Sequence, residues 1–327
     1  MLTITATTPP DSLCRVDAPD RPPLRVGLVQ HRWHDDGRAL HAELTEGIAR
    51  AAGLGARVVF LPELTLSRYP ADTPGGADAA RTAEDLRTGP TVAFAAAAAS
   101  AHGVFVHASL YERADAPDGL GYNTAVLVSP AGEPVARTRK LHIPVTAGYY
   151  EDTYFRGGPA GDPYPAGDPY PVHTPDGLDG ARIGMPTCWD EWFPEVARAY
   201  SLAGAEILVY PTAIGSEPDH PEFDTRPLWQ QVIVGNGIAN GTFMIVPNRH
   251  GCEGAITFYG SSFVSDPYGR ILVQAPRDES AVLVADLDLA QRRDWLSLFP
   301  FLSTRRPDTY GSLTAPVDAH APFGATR

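Results

Sequence analysis

The sequence ARIGMPTCWDEWFPEVARAYSLAGAEILVYP, residues 181–211, contains an order of elements that predicts the fold. Residues 181–188 form a mostly apolar run that is typical of a buried strand. Residues 193–204 have the spacing of a helix that ends at Gly204, and residues 206–211 are a second apolar run. A buried strand, a helix and another buried strand in this order predict an α/β protein.

The same alternation continues on both sides of this stretch. Further runs with the pattern of strands are found at 24–30, 56–63, 104–110, 123–130, 134–141 and 242–248, and three more follow in succession after 257. Runs with the pattern of helices are found at 38–55, 90–101, 227–241 and 288–295. Because several strands follow one another without a helix between them, the sheets should be mixed rather than purely parallel.

Composition excludes several classes of function. The net charge of −13 disfavours nucleic acid and anionic membranes as partners, and no apolar run is long enough to span a bilayer. The N-terminal residues lack the pattern of a secretory signal, so we expect the cytoplasm, and residues 1–23 are predicted to form a flexible or surface-draped arm. Three widely separated cysteines, Cys14, Cys188 and Cys252, predict neither disulfides nor a metal site.

Three reactive residue types stand at the ends of predicted strands. Glu63 ends the run at 56–63, Lys140 lies at the end of the run at 134–141, and Cys188 ends the run at 181–188. Taken alone, each has an ordinary explanation: a solvated carboxylate, a solvated lysine and a buried core cysteine. Together they provide a nucleophile, a proton acceptor and a cation for an oxyanion, with the following helix expected to favour a Cys188 thiolate.

The segments FLPELTLSRYP, RKLHIP, YYEDTYF, CWDEWFPE, YPTAIGSEP and FYGSSFVSDPYGRIL resemble the nitrilase superfamily of carbon–nitrogen hydrolases. The resemblance runs from about residue 24 to about residue 311, which leaves 312–327 as a C-terminal tail. It implies a four-layer αββα sandwich with mixed β-sheets, no metal and no organic cofactor. It also implies a homodimer or a larger homo-oligomer.

The resemblance also implies roles for individual residues. Cys188 would be the nucleophile, Glu63 the general base and Lys140 the support of the oxyanion, together with the backbone N–H of Trp189. Glu151 matches a second acidic residue that positions the substrate or the hydrolytic water.

The narrower resemblance, carried by KLHIP, CWDEWFPE and YPTAIGSEP, is to the N-carbamoylputrescine amidases of that superfamily. The residues after Cys188 include no arginine to bind a substrate carboxylate, whereas Trp189, Asp190, Trp192 and Glu217 would suit a cationic amine. Asp190 has an equally good structural explanation, as an acceptor for backbone groups at a helix start.

We therefore expect hydrolysis of an N-carbamoyl amine such as N-carbamoylputrescine, through a covalent thiocarbamate, with release of ammonia and carbon dioxide. One alternative is an amidase for another amide or an N-carbamoyl (β-)amino acid, including an amidase of a specialised biosynthetic pathway. Another is a catalytically silent binding protein, although the presence of Glu63, Lys140 and Cys188 together argues against it.

Two features depart from the family pattern. Pro186 stands two residues before Cys188, where it would remove a hydrogen bond from a buried strand. The sequence AGDPYP occurs twice in succession, at 160–165 and 166–171, and predicts an expanded surface loop or a lid near the site.

Overall fold

The computed structural model describes residues 1–76, 79–160, 169–317, 320–321 and 323. Residues 161–168 of the duplicated AGDPYP segment lie outside the described residues, so the prediction of a surface loop or lid there stays a prediction. No helix in the described part of the chain is long and apolar enough to cross a membrane.

Strands and helices alternate along the chain in the predicted order. The strands β1 to β15 are Leu2–Ala6, Leu24–Gln30, Val58–Phe60, Phe105–Glu112, Tyr122–Val128, Pro134–Arg139, Val172–His173, Ile183–Gly184, Ile207–Val209, Phe243–Val246, His250–Glu253, Ile256–Tyr259, Phe263–Ser265, Ile271–Gln274 and Ala281–Leu287. The α-helices α1 to α5 are Gly37–Gly53, Pro90–His102, Pro194–Leu202, Arg226–Asn240 and Ala290–Leu298.

The strands form two large sheets and one hairpin. The first sheet has the order β1-β15-β2-β3-β4-β5-β6, and the second has the order β14-β13-β10-β9-β8-β7. Each contains parallel and antiparallel pairs: β2, β3 and β4 run parallel, while β4, β5 and β6 alternate in direction. The prediction of mixed sheets is confirmed.

Apolar residues on both faces of each sheet arrange these elements in four layers. The inner faces of the two sheets meet in one core, to which Phe60 contributes from the first sheet and Val209 from the second. On its outer face the first sheet packs against α1 and α2 around Ile48. The second sheet packs against α3 and α4 around Ile233. The fold is therefore the predicted αββα sandwich.

The N-terminal segment requires a correction. Leu2–Ala6 form strand β1, which pairs in parallel with β15 at the edge of the first sheet. Further along, Arg15 Nη1 lies 2.8 Å from an Asp294 carboxylate oxygen, and Gln291 Nε2 donates to Pro10 O at 2.8 Å. The expected flexible arm is therefore wrong for Leu2–Ala6, because their backbone groups complete a sheet edge.

Two central strands are shorter than predicted, and their shortness positions the site. β3 ends at Phe60 and β8 ends at Gly184, so the chain leaves each sheet before it reaches Glu63 or Cys188. Pro186 lies beyond the last ladder position of β8 and therefore removes no hydrogen bond from the sheet. This explains how proline is accommodated next to the candidate nucleophile.

One polar residue is buried within the core between the sheets. His107 on β4 is fully buried beside the ring of Phe60, with ring centroids 5.5 Å apart. Neither ring nitrogen has a hydrogen-bond partner among the described residues. Burial lowers the pKa of His107 to about 3, so the folded protein holds this ring neutral.

We predict that His107→Leu reduces the acid sensitivity of the fold. Below the ordinary histidine pKa of 6.5, the unfolded chain binds a proton at His107 that the folded chain does not bind. This group therefore lowers the free energy of unfolding by up to about 1.4 kcal/mol per pH unit as the pH falls below that value. Urea denaturation near neutral and mildly acidic pH should show a shallower pH dependence for the variant. The partly exposed His102, replaced in the same way, is the control and should leave the slope unchanged.

Candidate active site

Lys140 is fully buried and lies between two carboxylates. Its Nζ is 2.9 Å from Glu63 Oε1 and 2.6 Å from Glu151 Oε2, and both glutamates are buried as well. Lys140 directly follows β6 and Glu63 follows β3, so two strands of the first sheet deliver this contact from distant parts of the sequence. The structure thus brings together three of the predicted residues.

Lys140 is also the only lysine in the 327-residue sequence, beside 25 arginines. A compact ammonium can approach two carboxylates at once, whereas a planar guanidinium requires more space and a fixed fork. This composition is a signal in the sequence that distinguishes Lys140 from a solvated surface lysine.

The charges in this cluster determine its protonation. Burial alone would lower the pKa of Lys140, but the charges of Glu151 and Glu63 outweigh burial and raise it well above its usual value. Burial raises the pKa of Glu151 to about 7, with Lys140 opposing the rise and Glu63 adding to it. Lys140 is therefore a permanent cation in the folded protein.

Two hydrogen bonds orient the carboxylates. Asn123 Nδ2 donates to Glu63 Oε1 at 2.7 Å, and Tyr69 OH donates to Glu151 Oε1 at 2.9 Å. Glu63 Oε2 is buried and has no hydrogen-bond partner among the described residues, so it is available to accept a proton. The sequence analysis missed Asn123 and Tyr69. In the sequence, the only indication of either residue was a polar group next to an apolar run.

Cys188 begins a short 3-10 helix, Cys188–Trp192, at the end of the second sheet. Its φ of +41° is unusual for a residue other than glycine, and its N–H donates to Pro211 O at 3.1 Å. Such backbone strain is concentrated at functional sites, where the surrounding structure maintains it. In this conformation Cys188 has 5% of its surface exposed to solvent.

The expected thiolate is not supported. Burial raises the pKa of the Cys188 thiol well above its usual value, Glu63 adds to the rise, and Lys140 opposes it. Desolvation and the negative charge of Glu63 outweigh the nearby cation, so this environment favours the neutral thiol at Cys188. Attack by sulfur requires that a base take the proton during the same step.

A buried arginine supports the loop that carries Glu63. Arg249 Nη2 donates to Glu63 O at 2.9 Å and to Leu64 O at 3.0 Å, and its Nη1 lies 2.7 Å from Glu253 Oε1. Glu253 Oε2 in turn accepts from Tyr69 N at 2.8 Å. Leu64 has a positive φ of 49°, so these bonds stabilise a strained turn next to Glu63. The sequence analysis missed this arginine and its partner.

Asp190 has a structural position rather than a substrate-binding one. Its side chain is buried and accepts from Thr187 N at 3.1 Å, from His142 N at 2.9 Å and from His142 Nδ1 at 2.8 Å. It does not line the cavity beside Cys188. The prediction of Asp190 as a substrate-binding residue is therefore corrected: it joins the loop after Lys140 to the turn of Cys188.

A cavity of about 250 Å³ opens beside Cys188. The described residues that line it are Pro144, Thr146, Tyr149, Glu151, Cys188, Trp189, Trp192, Ala213, Ile214, Glu217, Phe223, Thr225 and Leu228. Three of the four predicted substrate-binding residues, Trp189, Trp192 and Glu217, are in this set. The charged lining residues in the described part of the chain are both acidic, Glu151 and Glu217.

Glu217 lies at the rim of the cavity, on the segment between β9 and α4. It is half-buried and accepts a hydrogen bond from Thr225 Oγ1 at 3.2 Å. Burial raises its pKa, and the bond from Thr225 opposes the rise. Within the described residues, no group of three His, Cys, Asp or Glu side chains is arranged to hold a metal ion.

Comparison with known proteins gives a consistent result. A model of the carbon–nitrogen hydrolase family matches residues 25–296. A citrullinase from Francisella tularensis is 33% identical over 297 residues, which cover 89% of this chain and 98% of the relative. An N-carbamoylputrescine amidase from Arabidopsis thaliana is 34% identical over 293 residues, which cover 87% of this chain and 93% of the relative.

Solved structures share the fold. A carbon–nitrogen hydrolase from Helicobacter pylori G27 matches with a TM-score of 0.77 and 31% identity, covering 90% of this chain and 99% of that one. A variant amidase from Nesterenkonia sp. AN1, with acrylamide added at its active-site cysteine, matches with a TM-score of 0.68. It is 22% identical, covers 89% of this chain and 99% of its own, and is evidence for the fold alone.

We predict that Lys140→Met lowers the free energy of unfolding by about 3–5 kcal/mol, because Glu63 and Glu151 lose the cation between them. Adding Glu151→Gln should restore part of this loss, since it replaces one of the two carboxyl groups left without the cation by a neutral amide. Urea denaturation of the wild type, both single variants and the double variant measures the coupling. Additive effects would contradict the charge cluster.

We predict that Glu63→Gln slows alkylation of Cys188 by iodoacetamide by about 100-fold, because the amide does not take the thiol proton. Mass spectrometry of the Cys188 peptide measures the rate. The exposed Cys252 in the same sample is an internal control and should react at the same rate in both proteins. Equal rates at Cys188 would show that Glu63 is not its base.

Proposed function

The chain belongs to the carbon–nitrogen hydrolase family of amide-hydrolysing enzymes, and from this premise we propose that it hydrolyses the ureido group of an N-carbamoyl amine. One observation carries the proposal. The Lys140 ammonium, held between Glu63 and Glu151, lies in the same site as Cys188, at a cavity whose charged lining is acidic.

The first step is the attack of Cys188 on the ureido carbonyl carbon. As the carbon–sulfur bond forms, the thiol proton passes to Glu63 Oε2, the carboxylate oxygen that has no other described partner. The carbonyl oxygen becomes an oxyanion, which the Lys140 ammonium stabilises. Trp189 N lies in the first turn of the 3-10 helix, where an N–H group has no acceptor within the helix, and it supplies a second donor.

In the second step the tetrahedral intermediate collapses and the terminal nitrogen leaves as ammonia, taking the proton from Glu63. The product on the enzyme is a thiocarbamate at Cys188. Glu63 then takes a proton from water, the hydroxide attacks the carbonyl carbon, and the carbon–sulfur bond breaks. Cys188 regains its proton, and the released carbamate decomposes to an amine and carbon dioxide.

Glu151 has two tasks in this scheme. It holds Lys140 from the side opposite Glu63, at 2.6 Å, and it also lines the cavity. A carboxylate at this point accepts hydrogen bonds from the ureido N–H groups and orients the carbonyl carbon towards sulfur.

The far end of the substrate is a cationic amine. Glu217 provides a negative charge at the cavity, and the rings of Trp189 and Trp192 can contact an ammonium group through their faces. Citrulline and N-carbamoylputrescine share the ureido group, but only citrulline has a carboxylate. The described lining residues include no Lys, Arg or His that would pair with a carboxylate, so the amine is favoured.

Citrulline is the second candidate substrate, because the Francisella tularensis citrullinase is as similar to this chain as the plant amidase is. Other amides and N-carbamoyl (β-)amino acids are less favoured, because neither class has both a ureido group for the end at Glu151 and a cationic amine for the end at Glu217.

We also propose that the chain forms a homodimer or a larger assembly. Leu298, Phe299 and Leu313, in the C-terminal region, are exposed apolar side chains that a second copy would cover.

The substrate proposal is tested by ammonia release from a panel that contains N-carbamoylputrescine, citrulline, N-carbamoyl-β-alanine and butylurea. We expect the highest kcat/KM for N-carbamoylputrescine. Glu217→Gln should raise KM for this substrate by about 10–100-fold, the range for a lost charge-assisted hydrogen bond, and should leave butylurea unaffected because butylurea has no ammonium group.

Glu222→Gln is the matched control, since it removes the same charge from an exposed position in the same segment. It should leave both KM values unchanged. Faster hydrolysis of citrulline than of N-carbamoylputrescine would reject the amine in favour of the second candidate.

A further inference from the structure

A third glutamate is buried behind the candidate nucleophile. Glu191 is the fourth residue of the 3-10 helix Cys188–Trp192 and is completely inaccessible to solvent. Its Oε1 accepts a hydrogen bond from Trp229 Nε1 of α4 at 2.8 Å. Its backbone oxygen accepts from Asn236 Nδ2, two turns further along α4, at 2.9 Å. Glu191 thereby joins the turn of Cys188 to α4.

Glu191 differs in its surroundings from Glu63 and Glu151, the two buried glutamates of the lysine cluster. Glu63 and Glu151 share the Lys140 ammonium, but no ion pair involving Glu191 is found among the described residues. An ionised carboxylate that is removed from water without a cation costs several kcal/mol, and such a group takes up a proton instead. Burial therefore favours the neutral carboxylic acid at this position.

The distances from the Thr212 hydroxyl to its two neighbouring oxygens fit a protonated Glu191. Thr212 Oγ1 lies 2.8 Å from the carbonyl oxygen of Tyr210 and 3.5 Å from Glu191 Oε2. A carbonyl oxygen only accepts, so the single hydroxyl proton of Thr212 serves the shorter contact. A protonated Glu191 can supply the proton for the longer contact through Oε2, while its Oε1 accepts from Trp229 Nε1.

We propose that Glu191 is a positioning residue that functions as a neutral carboxylic acid. It anchors the turn of Cys188 to α4 and to Thr212, in the segment that follows β9, without adding a negative charge beside the nucleophile. The proposal rests on the proposed function in one respect, the assignment of Cys188 as nucleophile, and the protonation state of Glu191 is independent of any substrate.

The neutral state has a consequence for pH. Burial raises the pKa of Glu191 well above its usual value, the bond from Trp229 opposes the rise, and Glu63 adds to it. The titratable groups that face it are Glu63, Lys140 and Cys188, with Tyr210 and Tyr259 on the neighbouring elements. Since the unfolded chain loses this proton at an ordinary glutamate pKa, the folded protein loses stability as pH rises above that value.

The test compares Glu191→Gln, Glu191→Leu and a control, Glu195→Gln. The Gln side chain reproduces the protonated acid, because its oxygen can accept from Trp229 and its NH₂ group can donate to Thr212. The Leu side chain has similar size and forms neither bond. Glu195 lies four residues further along at an exposed position.

At neutral pH we expect Glu191→Gln to retain kcat/KM and the rate of Cys188 alkylation by iodoacetamide within about threefold. Glu191→Leu should lower both by about 10–100-fold, as expected for a misplaced reacting group. The Tm of Glu191→Gln minus the Tm of the wild type should be larger at mildly alkaline pH than at mildly acidic pH, because only the wild type loses stability as the pH rises. Glu195→Gln should show no such trend.

Equal losses for Glu191→Gln and Glu191→Leu would show that a negative charge is needed and would overturn the proposal. Full alkylation rate in Glu191→Leu would exclude a positioning role. If the Tm difference between Glu191→Gln and the wild type did not depend on pH, Glu191 would not be protonated in the folded protein. Alkylation and Tm are measured without substrate. They therefore test the role of Glu191 even if the substrate panel contradicts the proposed substrate.

Discussion

The burial of one ammonium group between two carboxylates is the constraint on which the site depends. Lys140 is reached from β6, Glu63 from β3 and Glu151 from the loop after β6, so the cluster forms only when the first sheet has its correct order. Each ion would be costly alone in this interior, and the three together offset much of that cost. Asn123, Tyr69 and Arg249 provide the remaining hydrogen bonds and fix the geometry.

The same interior holds Cys188, the proposed nucleophile, and the balance of charges around it limits which groups can be ionised. Glu63 and Glu151 share one cation, and a further unpaired carboxylate at Glu191 would make a Cys188 thiolate or an oxyanion still more costly. A protonated Glu191 avoids this cost and still forms two side-chain hydrogen bonds. In the proposed mechanism, the thiol of Cys188 and the unpartnered oxygen of Glu63 make proton transfer part of the attack itself.

Prediction from sequence was most accurate where a periodic pattern extends over many residues. The helix expected at 38–55 is found as Gly37–Gly53, and the strand expected at 24–30 is found as Leu24–Gln30. The runs at 56–63 and 181–188 contain only a three-residue and a two-residue strand, after which the chain leaves each sheet and turns towards Glu63 and Cys188. The hairpin of β11 and β12 was not predicted, since Gly and polar residues interrupt its alternation.

The sequence by itself determined the layered α/β architecture and the family, and it indicated the candidate site residues, because apolar periodicity and local motifs are properties of neighbouring residues. Only the tertiary structure decided that Asp190 binds backbone groups rather than substrate, that Arg249 holds the loop of Glu63, and that burial raises the pKa of the Cys188 thiol. These properties depend on burial and on partners that are distant in the chain. A pKa or a hydrogen-bond partner is set by the environment that folding creates, which local sequence does not specify.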